Sequence, residues 1–151
     1  MLSIGYCLVR IYCMSLFERY ELKWFIVWLT LAWGWVGFVW YLSLTTTPPE
    51  IDLVPAFNDK VGHLIAYAWL MFWFGNLYHN AGARLFYAGL FISMGIGLEF
   101  LQAVGQVRQF EYYDMLANSA GVFVGVALLL TPLAKLLFRI ECIITPTHDN
   151  R

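Results

Sequence analysis

Glu99 is the residue whose chemistry most needs explaining, because it stands in an otherwise apolar run that begins near residue 85 and ends near residue 104. Gly95, Glu99, Gln102 and Gln106 are spaced i, i+4, i+7, i+11 and therefore form one stripe on a helix. A carboxylate at the centre of a membrane helix costs roughly 2.5–3.5 kcal/mol. The stripe is therefore expected to face protein or water. Glu99 could act there as a general acid or base, as a proton carrier or as a ligand for a cation.

A second polar stripe has the same spacing. Asp114, Asn118, Gly121 and Gly125 follow one another at i, i+4, i+7, i+11, and the two glycines would let a neighbouring helix approach closely. Asp114 and Asn118 could bind the hydroxyl of a substrate or a phosphate-linked sugar. In the structural alternative, Asp114 caps the start of the helix and Asn118 hydrogen-bonds to a neighbouring helix.

His63 could serve as a base or as a metal ligand. The alternative is a histidine that is held by Glu99 or Asp59, and Glu99 could equally be a hydrogen-bonding partner of His63 or Asn118. No second histidine or cysteine is near in the sequence, so neither a metal site nor a cofactor is predicted. Lys60 and Arg108 could bind a phosphate, or could simply contact lipid headgroups.

The composition places these residues in a membrane protein. The 151-residue chain is 61% hydrophobic and 13% charged, whereas soluble domains are about 45–50% apolar and about 25% charged. The net charge of −1 and the lack of a basic patch give no reason to expect nucleic-acid binding.

The hydropathy pattern predicts an all-α protein that forms a bundle of four transmembrane helices, at about 24–44, 60–78, 85–104 and 114–137, within a domain over 24–138. An N-terminal cytoplasmic or interfacial segment, 1–23, and a cytoplasmic tail, 139–151, flank this domain. Residues 1–13 precede a second methionine that could be the native start. The aromatic run of the second helix is expected to face lipid; it comprises Trp69, Phe72, Trp73 and Phe74.

The distribution of charge predicts the orientation. Four spans place both termini on one side, and seven Lys and Arg residues lie on that side against two on the other. Both termini are therefore expected in the cytoplasm, where the three cysteines would remain reduced.

This topology brings His63, Glu99 and Asn118 to a similar depth, about 6–8 Å from the outer ends of their helices at about 1.5 Å per residue. They predict a polar pocket that opens outward, with Tyr67 one turn deeper than His63. The more exposed rim would contain Asp59, Lys60, Gln102, Arg108 and Asp114.

The sequence resembles the VanZ-like family of small bacterial membrane proteins over about residues 59–125. Three blocks carry the resemblance: D59-K60-x-x-H63-x-x-x-Y67; G97-x-E99-x-x-Q102; and R108-x-x-x-x-x-D114-x-x-x-N118-x-x-G121-x-x-x-G125. The resemblance implies a multi-pass protein of the bacterial inner membrane that is associated with the cell envelope, since the family's namesake is linked to resistance to the glycopeptide teicoplanin. It implies no particular reaction.

Three functions remain open on the sequence. In the first, the pocket binds or processes a lipid-linked envelope precursor or a glycopeptide, with Glu99, His63 and Asp114 as candidate catalytic residues. The second is a scaffolding protein, in which the polar cluster only fixes helix packing among membrane lipids. A small proton-coupled transporter is the third, and the few spans and the lack of a visible inverted repeat argue against it.

Overall fold

The computed structural model describes residues 22–45, 55–105 and 110–145, with the backbone alone for residues 55–59. All regular structure within these ranges is helical, as predicted. The helices are α1 (Phe25–Leu44), α2 (Pro55–Leu77), α3 (Ala81–Val104), α4 (Tyr112–Leu128), a 3₁₀ helix (Pro132–Lys135) and α5 (Leu136–Ile144). The predicted segments 1–21, 46–54, 106–109 and 146–151 lie outside the described residues.

Two of the helices, α1 and α3, are long and apolar enough to cross a membrane. A third span results if α4 and the bent segment that follows it are counted together. These helices are compatible with a membrane protein.

Two helices begin earlier than predicted. Pro55 is the first residue of α2, and a proline at this position loses no helical hydrogen bond because the first N–H groups have no partner within the helix. α3 begins at Ala81 because the side-chain oxygen of Asn80 accepts a hydrogen bond from the Ala83 N–H at 2.5 Å.

The prediction of one helix over 114–137 is wrong. α4 ends at Leu128, and the chain then turns by 76° into the 3₁₀ helix and α5. Pro132 cannot continue an α-helix, and the Thr131 hydroxyl accepts a hydrogen bond from the Leu133 N–H at 3.2 Å, which starts the new segment. The predicted tail from residue 139 is helical as far as Ile144.

The centre of the bundle is the contact of α2 with α4. Gly121 and Gly125 lie directly against the backbone of α2. A Cβ atom at Gly125 would lie 2.7 Å from the Ala68 carbonyl oxygen and 2.7 Å from the Met71 Cβ. The predicted role of these glycines in close helix approach is confirmed.

The prediction that the aromatic run of α2 faces lipid is wrong for two of its members. Phe74 is fully buried and Phe72 nearly so. Phe74 contacts the rings of Tyr87 and Phe91 on α3, with centroids at 4.6 and 5.2 Å. Packing between α2 and α3 accounts for Phe74, whereas Phe72 lines a groove together with Leu136 and Leu137 of α5.

A buried carboxylate attaches α5 to the start of α1. Glu141 Oε2 accepts the Lys23 N–H at 2.7 Å, and Oε1 accepts the Trp24 N–H at 2.9 Å and the Trp28 indole N–H at 2.8 Å. The first N–H groups of a helix have no partner within the helix and carry partial positive charge. Glu141 therefore ties α5 to the two residues that precede α1 and places its carboxylate at the positive end of that helix.

The same end of the bundle carries Lys23, Arg84, Lys135 and Arg139, and it is called the basic end below. Asn76 joins two of its elements, because its side-chain oxygen accepts the Leu136 N–H at 2.9 Å. Cys142, next to Glu141, is disulfide-bonded, which contradicts the prediction that this cysteine is reduced. Cys7 and Cys13 lie outside the described residues.

Candidate functional site

Both polar stripes face the interior of the bundle. Gly95, Glu99 and Gln102 on α3 are buried, and so are Asp114 and Asn118 on α4. Glu99 retains only 2% of its accessible surface. The prediction that its carboxylate avoids lipid is confirmed.

His63 on α2 contacts two residues of the polar stripe of α4. Its Nδ1 lies 3.1 Å from Asn118 Oδ1, and its Nε2 lies 3.8 Å from Asp114 Oδ2. With the carboxamide in this orientation, Nδ1 donates to Asn118, and Nε2 of the neutral ring is an unprotonated nitrogen beside a carboxylate.

Gly95 makes room for this contact. A Cβ atom at residue 95 would lie 2.9 Å from the Asn118 Cβ and 3.1 Å from its Nδ2. The absence of a side chain on α3 thus allows Asn118 to fit between α3 and His63 on α2. Three helices meet at this point, as the depth argument predicted.

Lys60 is held by two carboxylates. Its ammonium group lies 2.6 Å from Glu111 Oε2 and 2.8 Å from Asp114 Oδ1. Glu111 and Lys60 are partly exposed, whereas Asp114 is buried. Because the lysine charge is already compensated twice, the predicted role of Lys60 in binding phosphate has little support from this geometry.

Glu99 makes a different contact from the ones considered in the sequence. Its Oε1 accepts the backbone N–H of Glu111 at 2.8 Å. The carboxylate therefore fixes the residue that precedes α4, and Glu111 in turn holds Lys60. The N-cap position of α4 is Glu111, so the prediction that Asp114 caps this helix is wrong.

Sequence reasoning missed Glu111 as a member of the site. It lies in the connection between α3 and α4, where no helical periodicity marks a residue as inward-facing. The only signal in the sequence was an acidic residue three positions before Asp114.

The prediction of an exposed rim is wrong for Gln102 and Asp114, which are 2% and 3% exposed. Tyr67 is buried as well. The Tyr67 side chain is 1% exposed, and its hydroxyl has no hydrogen-bond partner. Gln102 donates from Nε2 to the Ser43 carbonyl oxygen at 2.6 Å, which ties α3 to the last turn of α1. Two predicted rim residues, the Asp59 side chain and Arg108, lie outside the described residues.

The end of the bundle that contains these residues is acidic. Among the side chains described there, Lys60 carries one positive charge against the carboxylates of Glu99, Glu111 and Asp114. The described ranges contain no group of three or more His, Cys, Asp or Glu residues that could hold a metal ion. The arrangement offers carboxylate, carboxamide and imidazole side chains that can hydrogen-bond a cationic or hydroxyl-bearing group.

No family model, curated protein or solved structure matches the chain. The fold and the site define a class of protein. It is a helical bundle in which two helices are long and apolar enough to cross a membrane, with a buried cluster of ionisable side chains at one end.

Proposed function

We propose that the chain is a VanZ-like, four-span protein of the bacterial inner membrane, with both termini in the cytoplasm, and that its acidic end faces outward. This end would bind or process an envelope-related ligand, either a lipid-linked precursor or a glycopeptide. Glu99 and His63 would form the centre of the site, with Asp114 and Asn118 orienting the imidazole.

The observation that carries the proposal is the His63 contact with Asn118 and Asp114, at the same end of the bundle as the buried Glu99. Ionisable groups within membrane helices are costly, and where they occur they usually serve a function. α2, α3 and α4 each supply one of these groups, all at the same end. A ligand would reach them past Lys60 and Glu111, which are the partly exposed members of the cluster.

The charges around the site indicate the kind of ligand group it would accept. Lys60 is engaged by Glu111 and Asp114, so an incoming phosphate would have to displace a carboxylate. An amine or a hydroxyl can bind without displacing Lys60, because each carboxylate accepts several hydrogen bonds and keeps lone pairs beyond those that Lys60 and the Glu111 N–H use. The recognised part of the ligand is therefore an amine or hydroxyl group.

The test is susceptibility to teicoplanin and other envelope-targeting antibiotics in cells that carry Glu99→Gln or His63→Ala. We expect both variants to lose the phenotype of the wild-type protein while their membrane levels are unchanged. Tyr112→Phe is the matched control, because this ring is exposed at the same end and makes no contact within the cluster. Wild-type susceptibility in both site variants, at normal protein level, would refute the proposal.

A scaffolding role is the second candidate, and one specific observation favours it. The polar groups of His63, Lys60 and Glu99 are all engaged by other parts of the chain, as in a cluster that only holds helices together. Under this alternative, Glu99→Gln lowers the protein level or the midpoint of thermal unfolding in detergent, and any phenotype follows that loss.

A further inference from the structure

An apolar groove lies at the basic end, far from the polar cluster. Its volume is about 110 Å³. α1, α2 and α5 all contribute to its walls. The principal lining residues are Trp28, Trp69, Trp73, Asn76, Leu136 and Ile140.

The position of α5 indicates what covers this groove. α4 has 17 residues and extends about 26 Å at about 1.5 Å per residue, which is close to the hydrocarbon thickness of a bilayer. The segment after it turns by 76°, so that it lies near the plane of the membrane if α4 crosses it. Ile143 and Ile144 on α5 are largely exposed, as expected of a helix at the level of the headgroups.

Two cations belong to the segment that forms one wall of the groove, although neither is among its lining residues. Lys135 and Arg139 are four residues apart, and each directly precedes a residue of the groove wall, Leu136 and Ile140. Within the part of the chain that the structure describes, neither cation has a carboxylate partner. Glu141 cannot neutralise them, because it is buried against the start of α1.

Further positive charge lies nearby. Arg84 donates from its guanidinium to the Gly75 carbonyl oxygen at 3.0 Å and contacts His79 Nδ1 at 3.2 Å. Burial lowers the pKa of His79, and the charges of Arg84 and Lys135 lower it further. This end of the bundle therefore favours an anion.

We propose that the groove and its two cations form a binding site for an anionic phospholipid, with an acyl chain against Trp69, Trp73 and Ile140 and the phosphate on Lys135 and Arg139. An apolar groove beside unpaired cations at the level of the headgroups matches the two halves of such a lipid. Arginine in particular forms paired hydrogen bonds with phosphate oxygens. This site is independent of the function proposed for the acidic end.

The experiment uses the full chain, purified in mild detergent, stripped of lipid and examined by native mass spectrometry. Phosphatidylglycerol and phosphatidylcholine with identical acyl chains are added separately. We expect phosphatidylglycerol to be retained in preference, one lipid per chain. Replacing Lys135 and Arg139 by glutamine should weaken its binding by about fivefold for each charge removed, and Ile140→Trp, which fills the groove, should displace it.

Lys23→Gln is the matched control, because it removes an exposed positive charge from the same end without touching the groove. Unchanged lipid retention in this variant supports a specific site, and a loss equal to that of Arg139→Gln shows a general attraction and overturns the proposal. Equal retention of the two lipids also overturns it. Full displacement of the lipid by soluble glycerol phosphate would also overturn the proposal. A mass that corresponds to two chains without lipid would overturn it as well, because a second copy of the chain would then cover the groove.

Discussion

At the scale of single residues, Glu141 makes the clearest energetic contribution. It accepts three hydrogen bonds at 2.7–2.9 Å, two of them from the backbone that begins α1. Hydrogen bonds to an ionised acceptor contribute about 1.5–3 kcal/mol each, and a buried donor that loses its partner costs about 1–3 kcal/mol. The carboxylate also lies at the positive end of a helix, where negative charge is favourable.

We therefore expect Glu141→Ala to lower the free energy of unfolding by about 3 kcal/mol. Glu141→Gln should cost less, because its remaining oxygen still accepts hydrogen bonds. The measurement is unfolding in mixed micelles with increasing sodium dodecyl sulfate, followed by helix content and tryptophan fluorescence.

Ile143→Ala serves as the control for Glu141→Ala, since Ile143 lies on the same helix with 78% of its surface exposed. An exposed substitution of this kind should change stability by no more than about 0.5 kcal/mol. If Glu141→Ala unfolded at the same fraction of sodium dodecyl sulfate as the wild type, Glu141 would not stabilise the start of α1, and the prediction would be wrong.

The sequence predicted single residues well where a helical period marked them. Their spacing predicts one inward-facing stripe with Glu99 and another with Asp114 and Asn118, and all three side chains are buried. That they form a functional site with His63 stays a prediction. Glu111 and Glu141 carried no such signal. Glu141 acts on a backbone that lies 117 residues away in the chain, and no local pattern reveals such a partner.

At the scale of the elements, the α2–α4 contact depends on two glycines of α4, Gly121 and Gly125. The backbones approach closely enough that a methyl group at Gly121 would meet the Leu64 carbonyl oxygen, and one at Gly125 would meet Ala68 and Met71. Backbone atoms cannot move aside as the end of a flexible side chain can. The two helices would have to separate, and the His63–Asn118 contact one turn away would lengthen with them.

We expect Gly121→Ala and Gly125→Ala each to lower stability by about 1–3 kcal/mol through overpacking. Gly97→Ala on α3 is the control, because a methyl group there meets nothing within 4 Å, and alanine is favoured over glycine in a helix by up to about 1 kcal/mol. The midpoint of thermal unfolding in detergent distinguishes them. Equal effects at residues 97 and 125 would show that close approach is not the cause.

The elements were predictable in type but not at their breaks. The apolar runs identify the helices, but the apolar pattern continues through Pro132 and predicts one helix where the structure has a break. The 76° turn follows from the missing N–H of that proline together with the Thr131 cap and the Asn76 side chain, which accepts the Leu136 N–H. The last of these is a tertiary contact, so the direction of α5 could not be derived from the local sequence.

At the scale of the whole molecule, the two ends of the bundle differ in charge. Among the described side chains, Lys23, Arg84, Lys135 and Arg139 lie at one end with Glu141, and Lys60 lies at the other with three carboxylates. The excess of lysine and arginine favours the basic end in the cytoplasm. The disulfide at Cys142 argues for the opposite orientation, because thiols in the cytosol are kept reduced.

Labelling of introduced cysteines decides between these orientations. In a variant whose native cysteines are replaced by serine, Tyr113→Cys reports the acidic end and Arg139→Cys the basic end, since both positions are exposed. With a membrane-impermeant maleimide on intact cells, we expect labelling at residue 113 and labelling at residue 139 only after permeabilisation. The reverse pattern would place the disulfide on the oxidising side and turn the polar cluster towards the cytosol, where it could not meet an external glycopeptide. Labelling of both positions on intact cells would refute an arrangement in which the bundle separates its two ends across the membrane.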